Sequence, residues 1–454
     1  MIPGKGAAPS SEAAGHAPAH DRTVTVSSRA WRMGALYWGV VVLLAVSPRH
    51  SGNVWSRYLT IESVVERGTL AVDRSPLLAP SGTPDLVMFD GHLYSDKPPT
   101  LSALGALVYA PLSWAGVKLA GPPWQFLAVN WVLVATFAAG SAALTLVALR
   151  RLVEGLSLGD GEAGLLTLCF GYGSLLLPYA VTFNNHSVAA ALVTGAFALV
   201  QLEPERGRWY RRRAGAGGLA GLAAVIDLPA GGAILVVLGA WLWLRGRCIP
   251  WAYVAGAVPP LVLHIGLQWM VAGSPLPAEA YPEAFLYPGS YWATPEGAIR
   301  DTVSRWRFAL EFLVGPQGWL TVTPVLGLGL LALIAVARRR GDPLRPAAIA
   351  VGVVTTAVIA YYVLLTRRTD FAGRSFGTRH LLAVSPVVYL FAAVLLARSR
   401  SRATRLLFAV LAAVGIAYAV LGMYDPWTRI ESRSDMALRA LQRFVVYPWS
   451  SYSR

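Results

Sequence analysis

Charge is scarce in this chain, and acid is scarcer than base. Asp and Glu number 24 against 39 Lys and Arg, and the four types together make up 14% of 454 residues. That is too little to solvate the surface of a water-soluble domain of this size. Cysteine is nearly absent. Cys169 and Cys248 are too few for a disulfide framework, and both lie in or beside apolar stretches where packing accounts for them. There is no Walker loop, no strand-bound G-x-G-x-x-G, no H-E-x-x-H and no CxxC pair. These absences speak against chemistry on nucleotides or nicotinamide cofactors.

What is present is hydrocarbon. Hydrophobic residues make up 55% of the chain, and mean hydropathy is +0.50. Apolar runs near twenty residues recur, each able to cross a bilayer core of about 30 Å. The sequence predicts an all-α polytopic membrane protein with about eleven transmembrane helices. They fall near 31–47, 125–149, 163–182, 186–202, 214–227, 229–244, 249–271, 316–337, 346–366, 379–397 and 405–424. The Gly-rich 214–227 is the weakest of them.

The formal net charge of +15 is gathered in short Arg clusters between apolar runs. That is the mark of cytoplasmic loops rather than of a nucleic-acid surface. Arg150 and Arg151, Arg206 to Arg213, Arg245 and Arg247, Arg338 to Arg340, and Arg398 to Arg405 fall on one side only if 100–119 does not cross. That segment, which carries Pro111, is therefore expected to be re-entrant or interfacial on the outer face. Residues 1–30 read as a disordered cytoplasmic tail. No basic n-region precedes an apolar core, so no cleaved signal peptide is expected and the first helix reads as a signal anchor. The membrane domain is 31–424, and 425–454 is an outer tail in a plasma (inner) membrane protein.

Three outer segments follow: 48–99, 272–315 and 367–378. In the first, Val54, Tyr58, Ile61 and Val65 share one helical stripe and Gly68 stands at the C-cap position. Residues 53–67 are thus expected as an amphipathic helix on the outer membrane surface.

The ionisable groups concentrate in these outer segments. "YSDKPP", Tyr94 to Pro99, places Asp96 and Lys97 just before a helix that the proline pair would start. The ammonium suits a lipid phosphate, and Asp96 suits a base, a metal ligand or an ion partner. An interfacial anchor pair would read the same way. "FAGRSFGTRHLLAVSP", residues 371–386, offers Arg374, Arg379 and His380 beside Gly373 and Gly377. A phosphate or pyrophosphate would suit them through the Arg fork, and an ordinary polar loop would explain them as well. "TFNNHSVAAALV" carries Asn184, Asn185 and His186 at an outer turn, where capping or packing is the plain reading. Asp227, at a span end next to Pro229, is ionisable at membrane depth, which makes it a further candidate. The aromatic segment 281–297 fits interfacial anchoring and sugar stacking equally.

The order "RY…ERG…YSDKPP" after one N-terminal span resembles the GT-C membrane glycosyltransferases. The nearest groups are the protein O-mannosyltransferases and the lipid A aminoarabinose transferase, and within them uncharacterised bacterial members. "GRSFGTRHLL" resembles a "GxSFGxRxLL" element of those members, and "AGSPLPAEAY" their "GSP…Y" element. The resemblance implies transfer of a hexose or pentose from a polyprenyl-phosphate donor, with inversion, to a glycan, lipid or protein acceptor on the outer face. By its "YFEKPP" motif, Asp96 and Lys97 correspond to a metal-binding acid and a phosphate-binding lysine, and Arg57 to the arginine near the start of the loop. No cofactor is otherwise implied; a divalent metal would be held at Asp96.

The family's first-loop aspartate is replaced here by Val54, beside Asn53, and the second by the Asn184 to His186 region. Asp96, Asp85 and Asp73 are the substitute bases. Lys97, Arg57, Arg379 and His380 are the donor-phosphate group, and Tyr94, Asn185 and His186 the substrate contacts. A flippase or transporter, an O-antigen-type polymerase or ligase, and a scaffold without catalysis are the competing readings. Transporters place their ligands nearer the bilayer midplane than these loops.

Overall fold

Proline and glycine mark where helices start, stop and touch in this chain. The computed structural model describes residues 28–45, 50–203, 209–295, 297, 303–365, 375–399 and 401–427. Arg374, Gly373 and most of both tails lie outside the described residues. Helix α1 (Ser28–Leu44) leads into α2 (Gly52–Arg67), which ends at Gly68 in the left-handed region, φ 68°. A hairpin follows, β1 (Leu86–Phe89) with β2 (His92–Ser95), antiparallel and in register Leu86 to Ser95. Its turn places Asp90 and Gly91 at positive φ, as a two-residue hairpin turn requires. Pro99 then opens α3 (Pro99–Trp114), where its missing N–H costs nothing.

The remaining elements are long helices. They are α4 (Pro123–Glu154), α5 (Asp160–Tyr172), α6 (Asn185–Gln201), α7 (Trp209–Ile226), α8 (Leu228–Gly246) and α9 (Trp251–Ala272). After a short helical segment come α10 (Val325–Arg338), α11 (Arg345–Leu365), α12 (Arg379–Arg398) and α13 (Arg402–Tyr424). Helices thus occupy all eleven segments expected to span. Among the described residues, six are long and apolar enough to cross a membrane alone: α4, α8, α9, α11, α12 and α13. A seventh is gained if Arg305–Val322 and α10, bent by 102°, count as one. The chain is an integral membrane protein.

Burial sorts the helices. α6 and α12 are buried almost all round, whereas α9 and α13 turn most of their apolar surface outward, as lipid-facing helices do. The glycines of 214–227 have a packing purpose. A Cβ on Gly217 would run into the Tyr253 carbonyl of α9, and one on Gly221 would lie 2.8 Å from the Ala257 oxygen. α7 and α9 therefore meet backbone to backbone, as small residues allow between membrane helices.

One expectation changes. α2 does not lie on a surface. Ser56, Arg57, Thr60, Glu62 and Ser63, its polar side, are buried as fully as Val54, Tyr58 and Ile61. Hairpin and neighbouring helices cover it: Ser95 Oγ donates to Ser56 Oγ at 3.1 Å, Ser75 Oγ to Glu62 at 2.6 Å, and Gly105 of α3 presses on Ile61. An amphipathic pattern reports one apolar face and cannot report that polar partners close over the other. The aromatic segment after α9 is docked on the hairpin and the residues just before it. Tyr281 meets the Phe89 ring at 5.6 Å, and Trp292 Nε1 donates to the Pro84 carbonyl at 2.7 Å.

Candidate active site

The hairpin decides where the first charges go. Its ladder continues past Leu86 and Ser95, with Asp96 N donating to Asp85 O at 3.3 Å, so the two aspartates stand side by side. Lys97 reaches across both, with Nζ 2.8 Å from Asp96 Oδ2 and 3.5 Å from Asp85 Oδ2. Burial alone would lower the Lys97 ammonium, but the two carboxylates outweigh it and hold it above its ordinary range. Asp96 and Lys97 edge a cleft that Thr60, Tyr94, Gln268 and Val271 also line.

Asp73 stands apart from this trio. Its carboxylate accepts from Leu93 N at 2.9 Å and lies 3.4 Å from His92 Nδ1, so it anchors β2. Burial pushes that carboxyl up, but the Leu93 amide and His92 bring it below its ordinary range.

A divalent metal does not fit at Asp96. The Lys97 ammonium sits where the cation would sit, between the two carboxylates. Among the described residues no group of three His, Cys, Asp or Glu is placed to hold an ion, and hard cations want a fuller oxygen shell.

Arg57 forms the second layer. It is 1% exposed. Its Nη1 donates to the Asn53 carbonyl at 3.0 Å and to Asn53 Oδ1, and its Nη2 donates to Asn185 Oδ1 at 3.2 Å. All of these partners are neutral. Nε is enclosed and has no partner among the described residues. Burial drives the guanidinium down to about 10, although Asp96, Asp85 and Asp227 all pull the other way and only Arg379 adds to the fall. The fields of three carboxylates do not make good the lost hydration.

Beyond Arg57 lies a third layer that the sequence suggested only in pieces. Asn184 caps α6: its Oδ1 accepts from Ser187 N at 2.9 Å, and its Nδ2 donates to the Tyr179 and Thr182 carbonyls. That fixes Asn185 and His186 in the first turn of α6. Asn185 Nδ2 donates to Asp227 Oδ2 at 3.3 Å, and His186 Nδ1 lies 2.7 Å from the same oxygen. Asp227 holds the N-cap position of α8, yet makes no capping bond to its own helix. His380 faces His186 with ring centroids 5.5 Å apart and packs on Tyr362 at 4.5 Å. Arg379 lies over the Trp427 ring at 5.2 Å.

The structure therefore brings Asp96, Lys97 and Tyr94 to one cleft wall, with Asp85 paired to Lys97, and Arg57, Asn185, His186 and His380 to the buried layer behind it. Asp227 joins that layer through contacts 41 and 42 residues long in sequence. The only signal for it was an acid at membrane depth.

Comparison with known proteins agrees with this architecture. No family model matches the sequence, and no curated protein sequence does either. Solved structures do. ArnT from Cupriavidus metallidurans bound to undecaprenyl phosphate aligns at a TM-score of 0.51 and 15% identity, covering 92% of this chain and 79% of that one. Its apo state aligns at 0.52 and 16%, covering 92% and 78%. The chain has the GT-C fold. AglB from Archaeoglobus fulgidus, in complex with an inhibitory peptide and a dolichol-phosphate, aligns at 0.49 and 14%, over 91% and 60%.

Proposed function

We propose that this protein transfers a sugar from a polyprenyl-phosphate-linked donor to an acceptor on the extracytoplasmic face of the membrane. The observation that carries this is Arg57: a buried guanidinium with neutral hydrogen-bond partners and an Nε that has no partner among the described residues. Such a group is short of an anion, and a phosphate is the anion that matches its fork. The ArnT structure of the same fold was determined with undecaprenyl phosphate bound, which supports a lipid phosphate as that anion.

The chemistry follows from the charges. When the bond from sugar to phosphate breaks, negative charge grows on the phosphate oxygens. Arg57 in the layer behind the wall and Lys97 at the rim stabilise that charge more than they stabilise the donor, and this difference is what accelerates the step. Asp85 and Asp96 hold Lys97 at its place on the cleft. Inverting transfer places the acceptor on the far side of the anomeric carbon from the phosphate. The Arg clusters support an N-terminus inside, eleven spans and a site outside.

The test is sugar transfer from a panel of radiolabelled polyprenyl-phosphate hexoses and pentoses by the purified chain in liposomes, with a crude envelope fraction as acceptor. Wild type is expected to transfer, and Lys97→Ala to lose roughly 10²-fold in rate, the scale of one transition-state charge contact. Binding of the donor without any transfer, followed by its movement across the bilayer, would replace this reading with a transporter.

A further inference from the structure

We infer that His186 Nε2 is the group that takes the proton from the acceptor, that Asp227 positions it, and that the acceptor is accordingly a hydroxyl. This rests on the transferase reading above. The loop aspartates are poorly placed for the task. Asp85 and Asp96 both hold Lys97, and a proton delivered to Asp96 would break its 2.8 Å contact with that ammonium. Asp73 is bound to the amide of Leu93.

The dyad has the right polarity. A buried carboxylate can only accept, so the 2.7 Å contact to Asp227 Oδ2 puts the ring proton on Nδ1 of a neutral His186. The lone pair is then on Nε2. That atom has no hydrogen bond among the described residues and is not among the enclosed polar atoms that lack a partner. Asp227 is 3% exposed and sits at the N-cap of α8, where a carboxylate ordinarily bonds its own helix. It is turned to His186 and Asn185 instead.

Asn185 couples this dyad to the phosphate side. Its amide oxygen accepts from the Arg57 guanidinium and its amide nitrogen donates to the Asp227 carboxylate. Both ends of the amide face charges of the sign they suit. One side chain thus ties the base to the cation assigned to the leaving group, across elements α2, α6 and α8.

The step balances. The acceptor O–H bond breaks and its proton goes to His186 Nε2. The oxygen forms a bond to the anomeric carbon, and the bond from that carbon to the phosphate oxygen breaks. The electron pair leaves with the lipid phosphate, which Arg57 holds. The imidazolium, with Arg57 and His380 close by, is stabilised by Asp227 and later gives its proton to water. An acceptor that is itself an ionised phosphate would need none of this.

The test compares wild type, His186→Gln and Asp227→Asn, purified in detergent. Each is given radiolabelled polyprenyl-phosphate hexoses with water, with octyl β-glucoside and with octyl phosphate as acceptors. Binding of undecaprenyl phosphate and thermal unfolding are measured on the same samples. His186→Gln is expected to lose about 10²- to 10⁴-fold in kcat, the range general-base catalysis supplies. Asp227→Asn keeps the shape but offers Nδ1 a donor, which moves the ring proton to Nε2; a comparable kcat loss at unchanged KM is expected. A merely structural role would not give that split in an isosteric variant. Undecaprenyl phosphate binding should persist in both. If both variants turn over within about threefold of wild type, the dyad is not the base, while the transferase reading stands. If transfer to a phosphate acceptor alone survives in wild type and variants, the hydroxyl assignment is overturned. If wild type neither transfers nor binds undecaprenyl phosphate, the transferase reading fails and takes the dyad with it. Should His186→Gln not fold, Asp227→Asn decides alone.

Discussion

Replacing Arg57 by Met gives the sharpest check on the phosphate site, because the structure sets its scale. Burial brings the guanidinium down from its ordinary range to about 10. That difference corresponds to roughly 3 kcal/mol spent against keeping the charge in the ligand-free fold. The sign is that of a depressed base. The cost is present in full below pH 10 and disappears only as pH rises from there towards the unfolded value. At pH 7 Arg57 is charged and the whole cost is in place. A bound phosphate that relieves it can gain up to that amount. Removing Arg57 should therefore weaken undecaprenyl phosphate by about 10²-fold, at 1.4 kcal/mol per decade. Charge-assisted hydrogen bonds of about 1.5–3 kcal/mol give the same scale. The assay is thermal unfolding in detergent, titrated with undecaprenyl phosphate and with undecaprenol, which lacks the charge. At a ligand concentration of about 100 times the wild-type Kd, wild type gains about 2.7 kcal/mol, whereas a variant bound 100-fold more weakly gains about 0.4 kcal/mol. The reasoning is refuted if Arg57→Met responds to the phosphate as wild type does, or if wild type does not distinguish phosphate from alcohol.

Two further predictions concern the scaffold. Gly217→Leu should cost about 3 kcal/mol or more, because the new side chain meets the Tyr253 backbone, which cannot move aside. Gly266→Ala, on α9 with nothing within 4 Å of its added Cβ, should be neutral or slightly stabilising, and thermal unfolding of the two variants separates these outcomes. Asp73, whose carboxyl lies below its ordinary range, stabilises the hairpin above that range and loses this as pH falls through its folded value. Limited proteolysis should accordingly cut the 85–96 hairpin faster below about pH 4 in wild type, and Asp73→Asn should remove that pH dependence.

Much of the frame was open to reading from composition. Runs of apolar residues marked the helices because a bilayer admits no unpaired backbone, so length and hydropathy nearly suffice. The proline pair at 98–99 and Gly68 marked helix ends through purely local sterics. Tyr94, Asp96 and Lys97 were visible as neighbours for the same reason, and Asp85 joined them once the turn at Asp90 and Gly91 folded the strands together.

What the tertiary structure alone decided is which charges meet. Lys97 was expected to face a phosphate, and it faces two carboxylates at once. Arg57 looked like one polar residue of a surface helix, and it is enclosed with amides for partners. The pairing of His186 with Asp227 depends on α6 and α8 starting side by side in space. Local chemistry determines helices and turns because its causes act within a few residues. Ion pairs buried in a bundle depend on how the helices pack, and no local pattern in the chain carries that.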